Sequence, residues 1–485
     1  MTRSRALPLL LVGVLALPAC GARLDADTRR AAAAGALQQA DPGGSGGGGA
    51  TVNDPAGGPV AGGTGPVGGT GPATGGATGP AAGKTATGGA PVASGAAAPP
   101  GGNGGAVDVG VTASTITLGN ISDLSGPVPG LFQGAVIGTQ AYIAKVNSEG
   151  GIFGRQLKLR VGDGQLDCDT NTSQTRDLAP KVFAFVGSFS IYDGCGAKVL
   201  ATMPGVPDIH NALAANAGKL PNNFSVTPLT LGWRTGPLLY YKKTYGEKFK
   251  HIGTIYADAG GGAATWAAAK EAIEKLGGHV DYERGFSPTD TDFNADILAM
   301  RRNGVQMIYI TASDAPTVAR LFTAARQQQV DWPLLAGGVS YDEGFTARAG
   351  AAGEGSWSDQ QFAPFFSKNA VDLIPAVKDF QTWTNRVAPG EKKDLFGVFG
   401  WASTQMFVQA LKRAGPKATR ADVLAQLRTV TSFDADGLIA PGNPAGKKPP
   451  NCWLLMTVKS GAWQRVSPAK GFRCDGPYYY AKNAG

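Results

Sequence analysis

Hydrophobic and polar positions alternate with two different periodicities from residue 114 onward. Short apolar runs rich in Val, Ile and aromatic residues predict strands, and the longer amphipathic stretches between them predict helices. The predicted strands are 115–122, 157–162, 184–187, 206–210, 252–256, 279–286, 307–311 and 334–338. The predicted helices are 132–148, 171–182, 232–245, 262–276, 292–303 and 314–328. Strands separated by such helices are typical of βαβ units and parallel sheets.

The strand–helix units form two successive series, at 115–228 and 250–340. Two helices follow, at 372–388 and 397–414, and a final pair of strands is predicted at 452–459 and 462–467. This order predicts an α/β protein with two doubly wound parallel-sheet domains and a late return of the chain. Ligands of such folds bind at the carboxyl ends of the strands, where loops lead into helix N-termini.

The composition changes sharply before this body. Much of the total of 72 Gly and 32 Pro residues precedes Val107, and residues 41–107 are nearly all Gly, Ala, Pro, Thr and Ser. Such a segment has too few large apolar groups to offset the entropy lost on ordering. We therefore predict that residues 21–107 form a disordered tether.

The first twenty residues have the pattern of an export signal. Arg3 and Arg5 precede an apolar stretch at 7–17 that is too short to cross a bilayer, and Cys20 follows small residues. This junction resembles a bacterial lipobox, which implies cleavage before Cys20 and a lipid on its thiol. An ordinary signal peptide cut near Ala19 or Ala22 is the alternative. No later apolar run approaches the roughly 20 residues of a transmembrane helix.

Four further cysteines, an even number, fit an oxidising compartment. They lack CxxC spacing, so a zinc site or thioredoxin-like chemistry is disfavoured. Three connectivities are possible. Short-range pairing of Cys168 with Cys195 and of Cys452 with Cys474 is the simplest.

The charge pattern and the missing motifs argue against several functions. The net charge of +8 is scattered, whereas a nucleic-acid-binding protein concentrates its cations on one face or arm. The one GxSxG match, at residues 43–47, lies in the Gly-rich segment and not in the predicted body, no HExxH motif is present, and the three histidines have no metal-ligand spacing. We expect no nucleic-acid partner, no metal, no cofactor and no catalysis. An exported enzyme is a weak alternative.

A family resemblance appears in the first series. Residues 122–127 read SDLSGP, residues 147–157 read NSEGGIFGRQL, and a strand ending at Asp163 is followed by Cys168. The next strand continues as FAFVGSFS at 183–190. These segments resemble the leucine/isoleucine/valine-binding family of type I periplasmic binding proteins, and the resemblance extends over residues 114–470.

Membership would imply two lobes joined by a three-crossover hinge that closes on its ligand. The expected lobes are 114–229 with 363–440, and 230–362 with 441–485. The resemblance implies capture of a small polar solute, such as a branched-chain amino acid or a related amide or carboxylate. It implies delivery to an ABC permease by a monomeric lipoprotein on the outer face of the cell membrane. A sensing receptor of the same fold, without transport, is the alternative.

The resemblance also places ligand contacts in the first lobe. Ser188, Phe189 and Ser190 would grip a carboxylate, although a plain N-cap serine is the alternative. Asn211 and Ala212, after His210, would add further contacts. The turn containing Ser125 leads to Phe132, which either projects over the ligand or packs in the helix core. These residues lie after predicted strands.

The second lobe matches the family in its pattern of predicted strands and helices more than in the identity of its residues. Asp258 ends a strand before three glycines at 260–262, which favour a tight turn or admit a bulkier ligand. Ser313 and Asp314 end the next strand, and Asp314 is equally well an N-cap. No acid aligns with the family's ammonium-binding carboxylate, and Tyr341 would instead cover an apolar group. Phe396 or Trp401 would supply an aromatic near the hinge, with core packing favoured for Trp401.

Overall fold

The computed structural model describes residues 98–228, 232–258, 261–287, 289–366 and 374–482. The predicted signal peptide, Cys20 and the tether up to residue 97 lie outside the described residues. All of the described residues belong to one compact unit.

The first sheet has four parallel strands in the order β2-β1-β3-β4. They are β1 (Thr115–Ser122), β2 (Gln156–Asp163), β3 (Ala184–Val186) and β4 (Asp208–Ile209). Leu118 of β1 lies opposite Leu159 on one side and Ala184 on the other. Strands buried on both faces read as continuous apolar runs, and β3 is buried throughout.

The second sheet has seven strands in the order β12-β11-β10-β9-β8-β6-β7. They are β6 (Ile252–Ala257), β7 (Val280–Phe286), β8 (Met307–Ile310), β9 (Leu334–Gly337), β10 (Trp357–Gln360), β11 (Leu454–Lys459) and β12 (Ala462–Ser467). The five strands from β6 to β10 are mutually parallel, and β11 and β12 extend the sheet in antiparallel register. A separate antiparallel ribbon joins β5 (Gly232–Arg234) to β13 (Tyr478–Tyr480).

Helices connect and cover these strands. They are α1 (Gln133–Ser148), α2 (Cys168–Leu178), α3 (Asp193–Ala201), α4 (Ala215–Gly218), α5 (Thr235–Tyr245), α6 (Gly262–Lys275), α7 (Asn294–Arg302), α8 (Ala315–Gln327), α9 (Phe345–Ala349), α10 (Pro375–Val387), α11 (Leu395–Ala414) and α12 (Arg420–Leu427). Short 3-10 turns lie at Gly246–Lys250, Gly338–Ser340 and Gly350–Gly353.

The predicted fold class is confirmed, since the chain forms parallel α/β sheets in two series. One element was predicted wrongly. The expected helix 232–245 begins only at Thr235, because Gly232–Arg234 pairs as a strand with Tyr478–Tyr480. The sequence analysis also missed β10, which lies between two predicted elements.

The chain passes between the two sheets three times. It leaves the first sheet after β4, returns after β10 to pack α10 and α11 against α1, and leaves again before β11. The expected lobe boundaries fall within these passages and stay a prediction.

Helices α1 and α11 approach until their backbones touch. A Cβ atom on Gly138 would lie 1.9 Å from the Gly397 carbonyl oxygen, and one on Gly400 would lie 2.1 Å from that of Ala135. Only glycine permits this approach. The contact fixes the first turn of α11 beside the edge of the first sheet, where the cavity described below opens.

Two disulfides are present, and both follow the short-range pairing. Cys168 is bonded to Cys195, and Cys452 is bonded to Cys474. The first bridge ties the start of α2 to α3 beside the carboxyl ends of the first sheet.

Candidate functional site

A cavity of about 310 Å³ lies where the carboxyl ends of the two sheets face each other. The first sheet contributes Phe189 after β3 and Asn211 after β4. The second sheet contributes Gly261 and Thr311 from the loops after β6 and β8, and Gly337 at the end of β9. Loops at the carboxyl ends of parallel strands are where α/β folds bind ligands.

One wall of the cavity is a cluster of phenylalanine rings. Phe132, Phe189 and Phe396 lie 4.7–4.8 Å apart between ring centroids, and Phe399 stacks on Phe189 at 6.2 Å. All four residues line the cavity. Such a wall favours the apolar part of a ligand, since burial of aromatic surface is strongly stabilising.

The lining also holds buried polar atoms that have no partner among the described residues. Arg234 Nε, Thr311 Oγ1 and Gln360 Oε1 make no hydrogen bond to a described residue, and all three residues line the cavity. Thr311 follows β8 and Gln360 ends β10, the two strands that flank β9: a Cβ on Gly337 would be 3.7 Å from Thr311, and one on Gly338 would be 3.3 Å from Gln360. An unpaired buried polar group costs about 1–3 kcal/mol, so these atoms are suited to a polar ligand group or water.

Arg234 is held by a buried carboxylate. Its Nη2 donates to Asp359 Oδ1 at 2.5 Å, and Asp359 Oδ2 accepts the hydroxyls of Tyr241 and Tyr309, each at 3.2 Å. Burial lowers the pKa of Arg234, but the charge and hydrogen bond of Asp359, together with the nearby Tyr309 and Tyr478, raise it above its usual value. The guanidinium is therefore a fixed cation that is 9 % exposed.

A buried histidine fixes the loop after β4. His210 Nδ1 lies 2.7 Å from Asp208 Oδ1, and its Nε2 lies 3.4 Å from Asp193 Oδ2. Asp193 also accepts the backbone amides of Leu213 at 2.6 Å and Ala214 at 3.0 Å. Burial would lower the pKa of His210, but the two carboxylates raise it to about 10. The charged imidazole thus holds the loop after β4 in place beside the cavity.

The structure brings five of the predicted contact residues to the cavity. They are Phe132, Phe189, Asn211, Ala212 and Ser313. Asn211 Oδ1 accepts the Ser225 hydroxyl at 2.8 Å, which sets the orientation of its amide.

The three predicted serines of the first sheet lie outside the cavity wall. Ser188 Oγ accepts the Ile121 amide at 3.0 Å. Ser190 Oγ donates to Asp123 at 3.0 Å and accepts from Asn171 at 3.0 Å and from the Tyr192 amide at 3.1 Å.

Ser125 is engaged in a similar way. Its hydroxyl donates to Asp163 Oδ2 at 2.5 Å. The Asp163 carboxylate also accepts the amide of Leu124 at 3.0 Å. These bonds hold the loop that leads from β1 towards α1.

The remaining predicted residues are also placed elsewhere. The Asp258 side chain is exposed beside Gly285, while Tyr341 is fully buried and stacks on Phe366 at 4.2 Å. Trp401 packs in the core against Tyr142, as its preferred interpretation stated. Phe396 does line the cavity.

Sequence reasoning missed the residues that enter from the ribbon and from β10. Trp233 and Arg234 were assigned to a helix, and Gln360 was assigned to no element. A usable signal was Arg234 itself, a lone cation between Trp233 and the apolar start of α5.

Two other kinds of site were sought in the described ranges. They contain no group of three or more His, Cys, Asp or Glu side chains placed to hold a metal ion. Nor do they contain a helix whose length and apolar character would let it cross a bilayer.

The family model for periplasmic binding proteins matches residues 115–462. The chain belongs to this family. The resemblance seen in the sequence is thereby confirmed, and with it the fold and solute capture as the general function. No curated protein sequence matches this periplasmic binding protein significantly.

Solved structures agree with this assignment. A fatty acid ABC transporter substrate-binding protein from Thermomonospora curvata is 25 % identical, with a TM-score of 0.66 over 80 % of this chain and 97 % of that one. A leucine-binding protein from Thermotoga maritima is 17 % identical, with a TM-score of 0.60 over 73 % and 98 %. A branched-chain amino acid ABC transporter from Thermus thermophilus with bound valine is 15 % identical, with a TM-score of 0.64 over 75 % and 97 %. The last two support the fold alone.

Proposed function

We propose that this periplasmic binding protein captures one small organic solute in the cavity and presents it to an ABC-transporter permease. One observation carries the proposal: loops from the carboxyl ends of both sheets line the same cavity. A ligand held there touches both sheets at once. It therefore stabilises the arrangement in which the sheets face each other, which is how a ligand shifts a conformational equilibrium.

One solved relative supports a solute with an apolar part. The Thermomonospora curvata protein is named for a fatty acid transporter. The phenylalanine wall of this chain offers a matching surface. The proposed contacts are the lining residues Phe132, Phe189, Asn211, Ala212 and Ser313, joined by Arg234 and its neighbours.

The test is a ligand screen on the purified chain. Thermal-shift measurements against amino acids, short amides, fatty and aromatic acids and sugars, followed by calorimetry of the hits, should find a solute that binds one to one. A ligand that binds only the folded state raises the melting temperature.

Two variants of α6 decide whether the solute binds in the cavity. Ala264 and Ala267 are both exposed on this helix, but only Ala264 lines the cavity. Ala264→Trp should abolish binding of the hit, and Ala267→Trp should leave it unchanged. Equal affinity in both variants would remove the cavity from the proposal.

Membrane attachment is a further part of the proposal. We infer that Cys20 is the first residue of the exported chain and carries the lipid, and that the tether to the outer face of the membrane ends before residues 103–107. Arg155 donates to the Asn103 and Gly105 carbonyl oxygens, and Val107 packs against the core. Wild-type chain should fractionate with membranes, and Cys20→Ala should be released. Membrane association that persists in Cys20→Ala would contradict the lipid anchor.

The protein acts as a monomer that changes no bond in its ligand and uses no metal, cofactor or nucleic acid. Light scattering on the eluting peak should give the mass of one chain. The solute recovered after prolonged incubation should be chemically unchanged. Turnover would instead support an exported enzyme.

A further inference from the structure

The polar wall of the cavity is centred on a cation with unused donors. All hydrogen bonds that the Arg234 guanidinium makes to described residues come from Nη2, which leaves Nε and Nη1 unused. Among the described residues that line the cavity, Arg234 carries the only positive charge. Nε and Nη1 do not form a fork with each other, since each pairs with the occupied Nη2, so the guanidinium is suited to a single charge-assisted hydrogen bond from Nη1 to an anionic group.

The start of α6 reinforces this preference. This helix has no side-chain cap and no acid in its first turn, and Gly262 and Ala264 of that turn line the cavity. No described side chain caps its first amides, and the positive end of the helix dipole favours an anion. The strand that carries Arg234 packs against this same helix.

The wall formed by Phe132, Phe189, Phe396 and Phe399 has the opposite character. It offers no charge and requires an apolar ligand body for close packing. Cation and rings line one cavity, so a single molecule can meet both.

The cavity offers little to an ammonium group. Among the described lining residues, Asp314 is the only acid. Its Oδ1 accepts the Thr317 amide and its Oδ2 accepts the Thr317 hydroxyl, each at 2.8 Å, to cap α8. An ammonium ion would have to compete with this cap.

We propose that Arg234 holds the carboxylate of the ligand and that the ligand is an organic acid with an apolar body and no α-ammonium group. This inference rests on the proposed function, because it names the ligand of the same cavity. Thr311 supplies a hydroxyl donor beside the carboxylate, whereas the Gln360 amide nitrogen already donates to the Phe362 carbonyl oxygen.

Three matched probes test the ligand class. Octanoate has both features, its α-amino derivative adds the ammonium group, and octanamide removes the charge. By calorimetry on the full chain, octanoate should bind about tenfold or more tightly than either of the others, since a charge-assisted hydrogen bond is roughly twice as strong as a neutral one. Equal or tighter binding of the α-amino derivative would overturn the assignment.

A charge-neutral double variant tests Arg234. Arg234→Gln alone would leave Asp359 buried without its cation, so Arg234→Gln is combined with Asp359→Asn. The double variant should lose about tenfold or more in affinity for octanoate while its affinity for octanamide is unchanged. Undiminished octanoate binding would overturn the role of Arg234.

The matched control is a second arginine pair of the same kind. Arg284 contacts Asp296, which also accepts the Tyr282 hydroxyl, and neither charged residue lines the cavity. Arg284→Gln with Asp296→Asn should bind octanoate as the wild type does. An equal loss in this control would contradict a specific role of Arg234.

The screen separates this inference from the proposed function. If leucine or a sugar binds in the cavity and octanoate does not, the inference fails and solute capture stands. If no solute of the wider panel binds the wild-type chain, both fail.

Discussion

Gly261 at the start of α6 lies against Leu213, in the loop after β4, so closely that a Cβ atom would be 2.2 Å from the Leu213 carbonyl oxygen. The two residues belong to loops of different sheets, and both line the cavity. Gly261 has a φ of −80°, which any residue adopts, so glycine is required here by space and not by backbone conformation. The contact closes one side of the cavity.

Gly261→Ala should therefore weaken ligand binding. The added methyl group separates the two loops, and such overlap costs about 1–3 kcal/mol, or roughly tenfold in affinity. Calorimetry with the best ligand of the screen measures the effect. Gly205→Ala is the control, since a Cβ at Gly205 meets nothing within 4 Å. Equal affinity in the two variants would contradict the loop contact.

Thr311→Val should raise the stability of the ligand-free chain by about 1 kcal/mol, because it removes a buried hydroxyl without a partner at almost constant volume. Chemical denaturation gives the free energy of unfolding. The control Thr254→Val should destabilise by a similar amount, since the Thr254 hydroxyl donates to the Ile255 carbonyl oxygen at 3.1 Å. A loss of stability in Thr311→Val would show that its hydroxyl has a partner.

The sequence predicted the places where the strands end better than the direction in which each loop side chain points. Phe189 and Ser190 are neighbours after β3, but Phe189 faces the cavity and Ser190 turns inward to Asp123. The orientation of the Ser190 side chain depends on its hydrogen bonds to Asp123 and Asn171, which come from other parts of the fold. Arg234 escaped prediction because its strand exists only through pairing with β13, almost at the end of the chain.

His210→Gln should remove a pH dependence of stability. Folding raises the pKa of His210 from 6.5 to about 10, so its stabilisation is complete below pH 6.5 and is lost as the pH rises through about 10. The gain is at most about 5 kcal/mol. Denaturation between pH 6 and 10.5 gives the free energies of unfolding of wild type and variant, and these two values should converge as the pH rises. His279→Gln, at a side chain that is 69 % exposed, should follow the wild type at every pH.

Asp394→Asn should stabilise the protein at high pH. Burial, and then the charge of Asp342, raises the pKa of Asp394 from 3.8 to about 7, so the folded state favours the protonated acid. Wild type therefore gains stability as the pH falls through 7 towards 3.8. At pH 8 the free energy of unfolding of Asp394→Asn should exceed that of the wild type by up to about 4 kcal/mol, and this difference should vanish near pH 4.

The matched control for Asp394 is Asp422→Asn. Asp422 also serves the N-terminus of a helix, but its hydrogen bonds to Thr419 lower its pKa. This variant should lose stability above pH 4 and gain none at pH 8. If Asp394→Asn behaves in the same way, Asp394 is charged in the folded protein.

A crystal structure of the chain with its bound solute tests the central claim most directly. We predict electron density for one molecule in the cavity, with its apolar part against Phe189 and Phe396 and its polar group beside Arg234. A solute bound outside the cavity, or one that contacts the loops of a single sheet, would contradict capture between the two sheets.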